Sequence, residues 1–138
     1  MDQVIEFVSN HWMLSAAWVA LFSLLIFTLS KTSSKVIGNQ EVTTLINREK
    51  ATVVDIRSKA DFGNGHLLGA INIPAAEIKN AEDKLEKFKQ TPIILVDANG
   101  MQAAASAQLL QKKGFSQVSR LQGGIASWIN DNLPLNKT

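Results

Sequence analysis

The 138-residue chain contains no cysteine. That absence excludes thiolate catalysis by this chain alone, a disulfide framework, cysteine-ligated zinc and iron–sulfur clusters. Histidine is nearly as scarce, with His11 and His66 only, so a His-rich metal site is not expected; no metal or cofactor is assigned to the chain. Positive charge is missing from one end. Residues 1–30 carry no Lys or Arg, their acids are Asp2 and Glu6, and all 14 basic residues lie from Lys31 onward. Neither a Gly-Lys-Ser/Thr P-loop nor a Gly-x-Gly-x-x-Gly dinucleotide fingerprint occurs, which removes two nucleotide-binding signatures. A mean hydropathy of +0.04 would suit a soluble globular protein. That average joins two unlike pieces.

The first piece is an apolar run. From Trp12 to Leu29 there are 18 consecutive uncharged residues rich in Ala, Leu, Val, Ile and Phe. At 1.5 Å per residue a helix of that length spans roughly 27 Å, close to the hydrocarbon core of a bilayer. A buried core helix with no polar face would need a larger domain around it than the remaining chain offers. A cleaved signal peptide wants a basic leader and a shorter apolar run, whereas the leader here is acidic. The reading is a single transmembrane helix over residues 12–30, after a short tail over 1–11 and before a polar linker over 31–35. The lipid bilayer is then a partner through residues 12–30. Lys31, Lys35, Arg48 and Lys50 follow the run and no base precedes it. The positive-inside rule therefore puts the N-terminus outside and the C-terminal domain in the cytoplasm.

The second piece alternates strand and helix patterns. Thr52–Ile56 and Pro92–Val96 are β-branched apolar runs of buried-strand type, with shorter candidates at Val36–Ile37, Ile71–Ile73 and Gln117–Leu121. Helices are expected over Gln40–Arg48 with Asn39 as cap, over Ala81–Lys89 with Asn80 as cap, over Ala103–Lys113 ending at Gly114, and from about Gly124 to Asp131. Strands apolar on both faces and separated by helices imply an α/β fold with a parallel sheet covered on both sides. Ligands of such sheets meet the loops at the carboxyl ends of the strands. The loop after Val96 reads Asp97-Ala98-Asn99-Gly100-Met101-Gln102 and opens a helix. A strand, a Gly-bearing turn and a helix N-terminus converge backbone N–H groups into an anion cradle.

Asp55-Ile56-Arg57, followed by the stretch from Ala60 through Gly65-His66-Leu67-Leu68-Gly69-Ala70-Ile71-Asn72-Ile73-Pro74, resembles the signature of the rhodanese homology domain. Gly123-Gly124-Ile125-Ala126-Ser127-Trp128 is similar to that family's Gly-Gly-x-x-x-Trp ending. The resemblance covers residues 36–135 and implies a rhodanese-like five-stranded parallel sheet with helices on both faces. An anchor followed directly by one such domain is similar to bacterial inner-membrane members of the family. Active members read Cys-x-x-Gly-x-Arg-Ser in the loop, and the thiolate takes a sulfane sulfur from thiosulfate or a persulfide. This chain has Asp97 at the cysteine position, keeps Gly100, and has Gln102 and Ala103 for the arginine and serine.

The resemblance therefore implies a degenerate active-site loop over Asp97, Ala98, Asn99, Gly100, Met101 and Gln102, with no catalytic residue. Asp97 is expected to turn into its own loop and fill the cradle as a built-in anion. Asp55 and Arg57 are expected to pair, with anion binding by Arg57 as the competing role, and His66 is expected in a structural turn. A phospho- or acyl-transfer role for Asp97 would want a second acid or a phosphate-binding Arg in the loop, and neither is there. The expected role is that of an interaction or regulatory module working with a membrane or peripheral protein. The alternatives are sulfur transfer through a cysteine supplied by a partner, and small-anion sensing by the loop after Asp97. Nucleic acid is not an expected partner. Lys79, Lys84, Lys87 and Lys89 are interleaved with Glu77, Glu82, Asp83 and Glu86, as on a solvated surface.

Overall fold

The computed structural model describes residues 1–32 and 34–137. The chain divides into two compact units at Ser33 and Ser34. The N-terminal unit is two helices, α1 (Asp2–Asn10) and α2 (Trp12–Thr32). α1 occupies what the sequence shows only as a tail. His11 separates the helices with φ −125° and ψ 41°. Among the described residues, α2 is the one helix long and apolar enough to cross a membrane, over Trp12–Leu29. Of the expected linker, residues 31 and 32 belong to α2 and Lys35 opens the first strand, while Ser33 lies outside the described residues.

The second unit is a five-stranded parallel sheet in the order β1-β5-β4-β2-β3. Its strands are β1 (Lys35–Ile37), β2 (Thr52–Asp55), β3 (Ile71–Asn72), β4 (Ile93–Val96) and β5 (Val118–Leu121). β4 is central and buried along its whole length. Side chains alternate across a strand, and each face of β4 feeds a separate core. Ile93 and Leu95 pack with Val54, Ile78, Leu85, Ala107 and Leu110. Ile94 and Val96 pack with Ile37, Val42, Val53, Leu121 and Trp128. Two apolar faces demand two helical covers, which is why these strands read as unbroken apolar runs.

The first face is covered by α6 (Ala103–Lys112) and by the short turns between β3 and β4. The second is covered by α3 (Asn39–Glu49) and α7 (Gly124–Asn130). α4 (Lys59–Asn64) is a short helix capped by the Ser58 hydroxyl, which accepts from the Asp61 N–H at 3.2 Å.

Two expected helix starts are corrected. Gly38 caps α3, and Asn39 lies inside it. Asn39 Nδ2 instead donates to Asp131 Oδ2 at 2.5 Å, a tertiary partner that displaces the local cap. No single helix covers Ala81–Lys89. A 3₁₀ segment over Ala75–Asn80, α5 (Glu82–Leu85) and a 3₁₀ turn over Glu86–Phe88 replace it. Lys113 Nζ donates to the Lys79 carbonyl, tying the end of α6 to this segment. Ile78, Ala81 and Leu85 of these turns are buried in the core and Ala75 and Phe88 pack against it, while Glu82, Asp83 and Glu86 face solvent. Anchors at these positions hold short turns in place without an amphipathic stripe long enough to hold one straight helix.

Candidate functional site

β2 and β4 are neighbours in register, with Asp55 opposite Val96. The loops after them therefore emerge side by side at the carboxyl edge. Asp97 follows β4 directly and is 1% exposed. A buried carboxylate needs hydrogen bonds, and this one finds them in its own loop. Oδ1 accepts from the Gly100 N–H at 2.6 Å. Oδ2 accepts from the N–H groups of Gln102 at 2.7 Å and Ala103 at 3.1 Å. Ala103 is the first residue of α6, and Gln102 caps that helix without a side-chain bond. Asp97 thus supplies the missing cap and places a negative charge where the helix dipole favours one. The short bonds are charge-assisted.

The loop is clamped from the other side by α7. The Ile125 N–H donates to the Asp97 carbonyl at 2.8 Å, and the Ala126 N–H to the Ala98 carbonyl at 3.1 Å. This approach explains the Gly-Gly pair. A Cβ at Gly124 would lie 2.5 Å from the Asp97 carbonyl oxygen and 2.7 Å from Asp97 Oδ1. Gly124 also has φ +60°, which an L side chain seldom adopts. The exposed rim of the loop is Ala98, Asn99, Met101 and Gln102. Met101 is 81% exposed.

Asp55 and Arg57 form a paired support beside this loop. Arg57 Nε lies 3.0 and 3.1 Å from the two carboxylate oxygens of Asp55, and Nη2 donates to Oδ2 at 2.7 Å. Nη2 also donates to the Gly65 carbonyl at 2.6 Å. The guanidinium is committed inside the protein, with its side chain 10% exposed against 1% for Asp55. Asn72, which the sequence reading did not single out, donates to the carbonyls of Asp55 and Arg57 at 3.1 and 3.0 Å. Its signal was its place in the long central motif. His66 stacks on Phe62 with centroids 3.9 Å apart, and its Nδ1 lies 2.8 Å from the Phe62 carbonyl. Its backbone exchanges hydrogen bonds with Asn136. Among the described residues, no group of three His, Asp or Glu side chains is placed to hold a metal ion.

The comparisons with known proteins fit this geometry. A family model described as the rhodanese-like domain matches residues 38–131. The chain belongs to the rhodanese-like family. It is 45% identical to the uncharacterized protein YibN of Escherichia coli (strain K12) over 139 residues, covering 98% of this chain and 97% of YibN. That likeness takes in the apolar N-terminal helix as well as the rhodanese-like domain. The thiosulfate sulfurtransferase GlpE of Pseudoalteromonas translucida is 32% identical over 84 residues, covering 61% of this chain and 78% of GlpE. Among solved structures, a rhodanese-related protein of Thermoplasma volcanium superposes with a TM-score of 0.68 at 26% identity, covering 75% of this chain and 99% of that one. In this chain the loop after β4 turns the N–H groups of Gly100, Gln102 and Ala103 onto the side chain of Asp97.

Proposed function

We propose that this chain is a membrane-anchored rhodanese-like domain that has lost sulfur transfer and serves as an interaction or regulatory module. The observation that carries this reading is the Asp97 carboxylate. It takes the N–H groups of Gly100, Gln102 and Ala103, the donors that would otherwise face a bound anion. A carboxylate is a poor nucleophile toward sulfane sulfur, and its charge repels thiosulfate at contact distance. Anion sensing by the same loop would need those donors free. What the loop still presents is a rim of exposed side chains held by a rigid base, suited to contact with a protein.

The anchor is α2, and the base-free leader followed by Lys31, Lys35, Arg48 and Lys50 supports a cytoplasmic domain in the bacterial inner membrane. The partner is a membrane or peripheral protein met at that surface. The purified protein should transfer no sulfur from thiosulfate to cyanide. Asp97→Cys should recover little, because Gln102 and Ala103 still stand where the family carries arginine and serine. Robust turnover by the cysteine-free wild type would overturn the reading. For topology, Lys137→Cys in intact cells should resist a membrane-impermeant thiol reagent, and labelling there would reverse the orientation.

A further inference from the structure

We infer that α1 is an in-plane membrane helix, lying with its apolar face in the lipid–water interface beside the point where α2 enters the bilayer. The residues of α1 sort cleanly at 100° per residue. Val4, Ile5, Phe7 and Val8 share one side, and Asp2, Gln3, Glu6, Ser9 and Asn10 the other. No residue of α1 is buried by the protein, and the apolar side is open, from 47% exposure at Val8 to 65% at Ile5. A nine-residue helix is too short to persist in water on its own propensity. Its stability has to come from something that covers the apolar side.

The junction with α2 says what that cover is. The two helices meet at a residue with non-helical backbone, His11, so the chain bends there. A concavity of about 330 Å³ at this junction is lined by Phe7, Val8, Leu14, Ser15 and Trp18. The apolar side of α1 is therefore continuous with the surface of the span and turned toward it. Trp12, the first residue of α2, belongs at the boundary of hydrocarbon and headgroups. A helix bent back from that boundary with its apolar side inward rests on acyl chains and leaves Asp2 and Glu6 in water. Its polar side carries no Lys or Arg, unlike the basic in-plane helices drawn to anionic lipid. The contact is therefore with the apolar zone beneath zwitterionic headgroups and does not depend on negative lipid charge.

The inference rests on α2 crossing the bilayer, and its test separates the two claims. The natural chain lacks cysteine, so Gln3→Cys, Val8→Cys and Leu21→Cys each give one labelling site in the full-length protein. Each is spin-labelled and placed in phosphatidylcholine nanodiscs, and its accessibility to oxygen is compared with that to a water-soluble nickel complex. The oxygen-to-nickel ratio at Val8 should be several-fold above that at Gln3, with Leu21 higher still. Equal ratios at Val8 and Gln3, with Leu21 deep in lipid, would overturn the in-plane helix and leave the anchor standing. A water-like ratio at Leu21 would overturn both. Dipolar broadening between copies at Val8 would mean that a second chain covers this side, and would also overturn the inference.

Discussion

Leu21 in α2 is 64% exposed to the surroundings, and Leu95 in β4 is 0% exposed. Both sit in uninterrupted apolar runs, and the difference lies in the backbone. Each helical N–H and C=O finds its partner within the same segment, so a helix can present apolar side chains on every side when the solvent is lipid. A strand has no such independence. Its hydrogen bonds go to neighbouring strands, and its two faces then need separate covers. The apolar window in α2 has no buried residue, whereas β4 has no exposed one. The helix is long and apolar enough for the first arrangement, and the strand shows the second.

One deletion and three substitutions test that contrast. Removing residues 1–32 should have the largest effect, moving the protein from the membrane to the soluble fraction on cell fractionation. The remaining domain should still unfold cooperatively, since both cores are built from residues 37–135. Leu95→Ala should lower the unfolding free energy of the domain by about 2–5 kcal/mol in a denaturant titration. Asp97→Ala removes a buried acceptor of three loop N–H bonds and should cost about 1.5–3 kcal/mol in the same titration. Leu21→Ala, the same chemical change as at Leu95, should leave the domain's unfolding free energy within about 0.5 kcal/mol of wild type. A loss at Leu21 matching that at Leu95 would mean that α2 is a core helix, and the contrast would be gone.

Much of the site was legible before the fold. The strand over Pro92–Val96, the Gly-bearing loop and the helix after it located the cradle, and the resemblance to the rhodanese signature pointed to Asp97 as the residue in it. The central strands were legible because β-branched apolar runs bounded by Gly, Pro or polar residues leave few alternatives. The caps were less so. Asn39 and Asn80 are good local caps in isolation, yet Asn39 turns to Asp131 and Asn80 closes a 3₁₀ segment. A polar side chain chooses among all donors and acceptors within reach, and sequence shows only the local ones. The Ser58–Asp61 cap of α4 was present in the sequence and was missed. α1 was missed because nine residues before a long apolar run read as a flank, although their sorting into two faces was there to see.

The order of residues was enough to show which run could be solvated by lipid and which strands needed cover on both faces. These follow from side-chain chemistry and order along the chain, which do not depend on long-range contacts. Packing decided which polar groups met across distant parts of the chain. It brought Gly124 within reach of Asp97, turned Asn39 to Asp131, and laid the Ile125 and Ala126 N–H groups on the carbonyls of Asp97 and Ala98. Hydrogen bonds are directional and short, so their partners exist only after distant segments have been packed to within about 3 Å of one another.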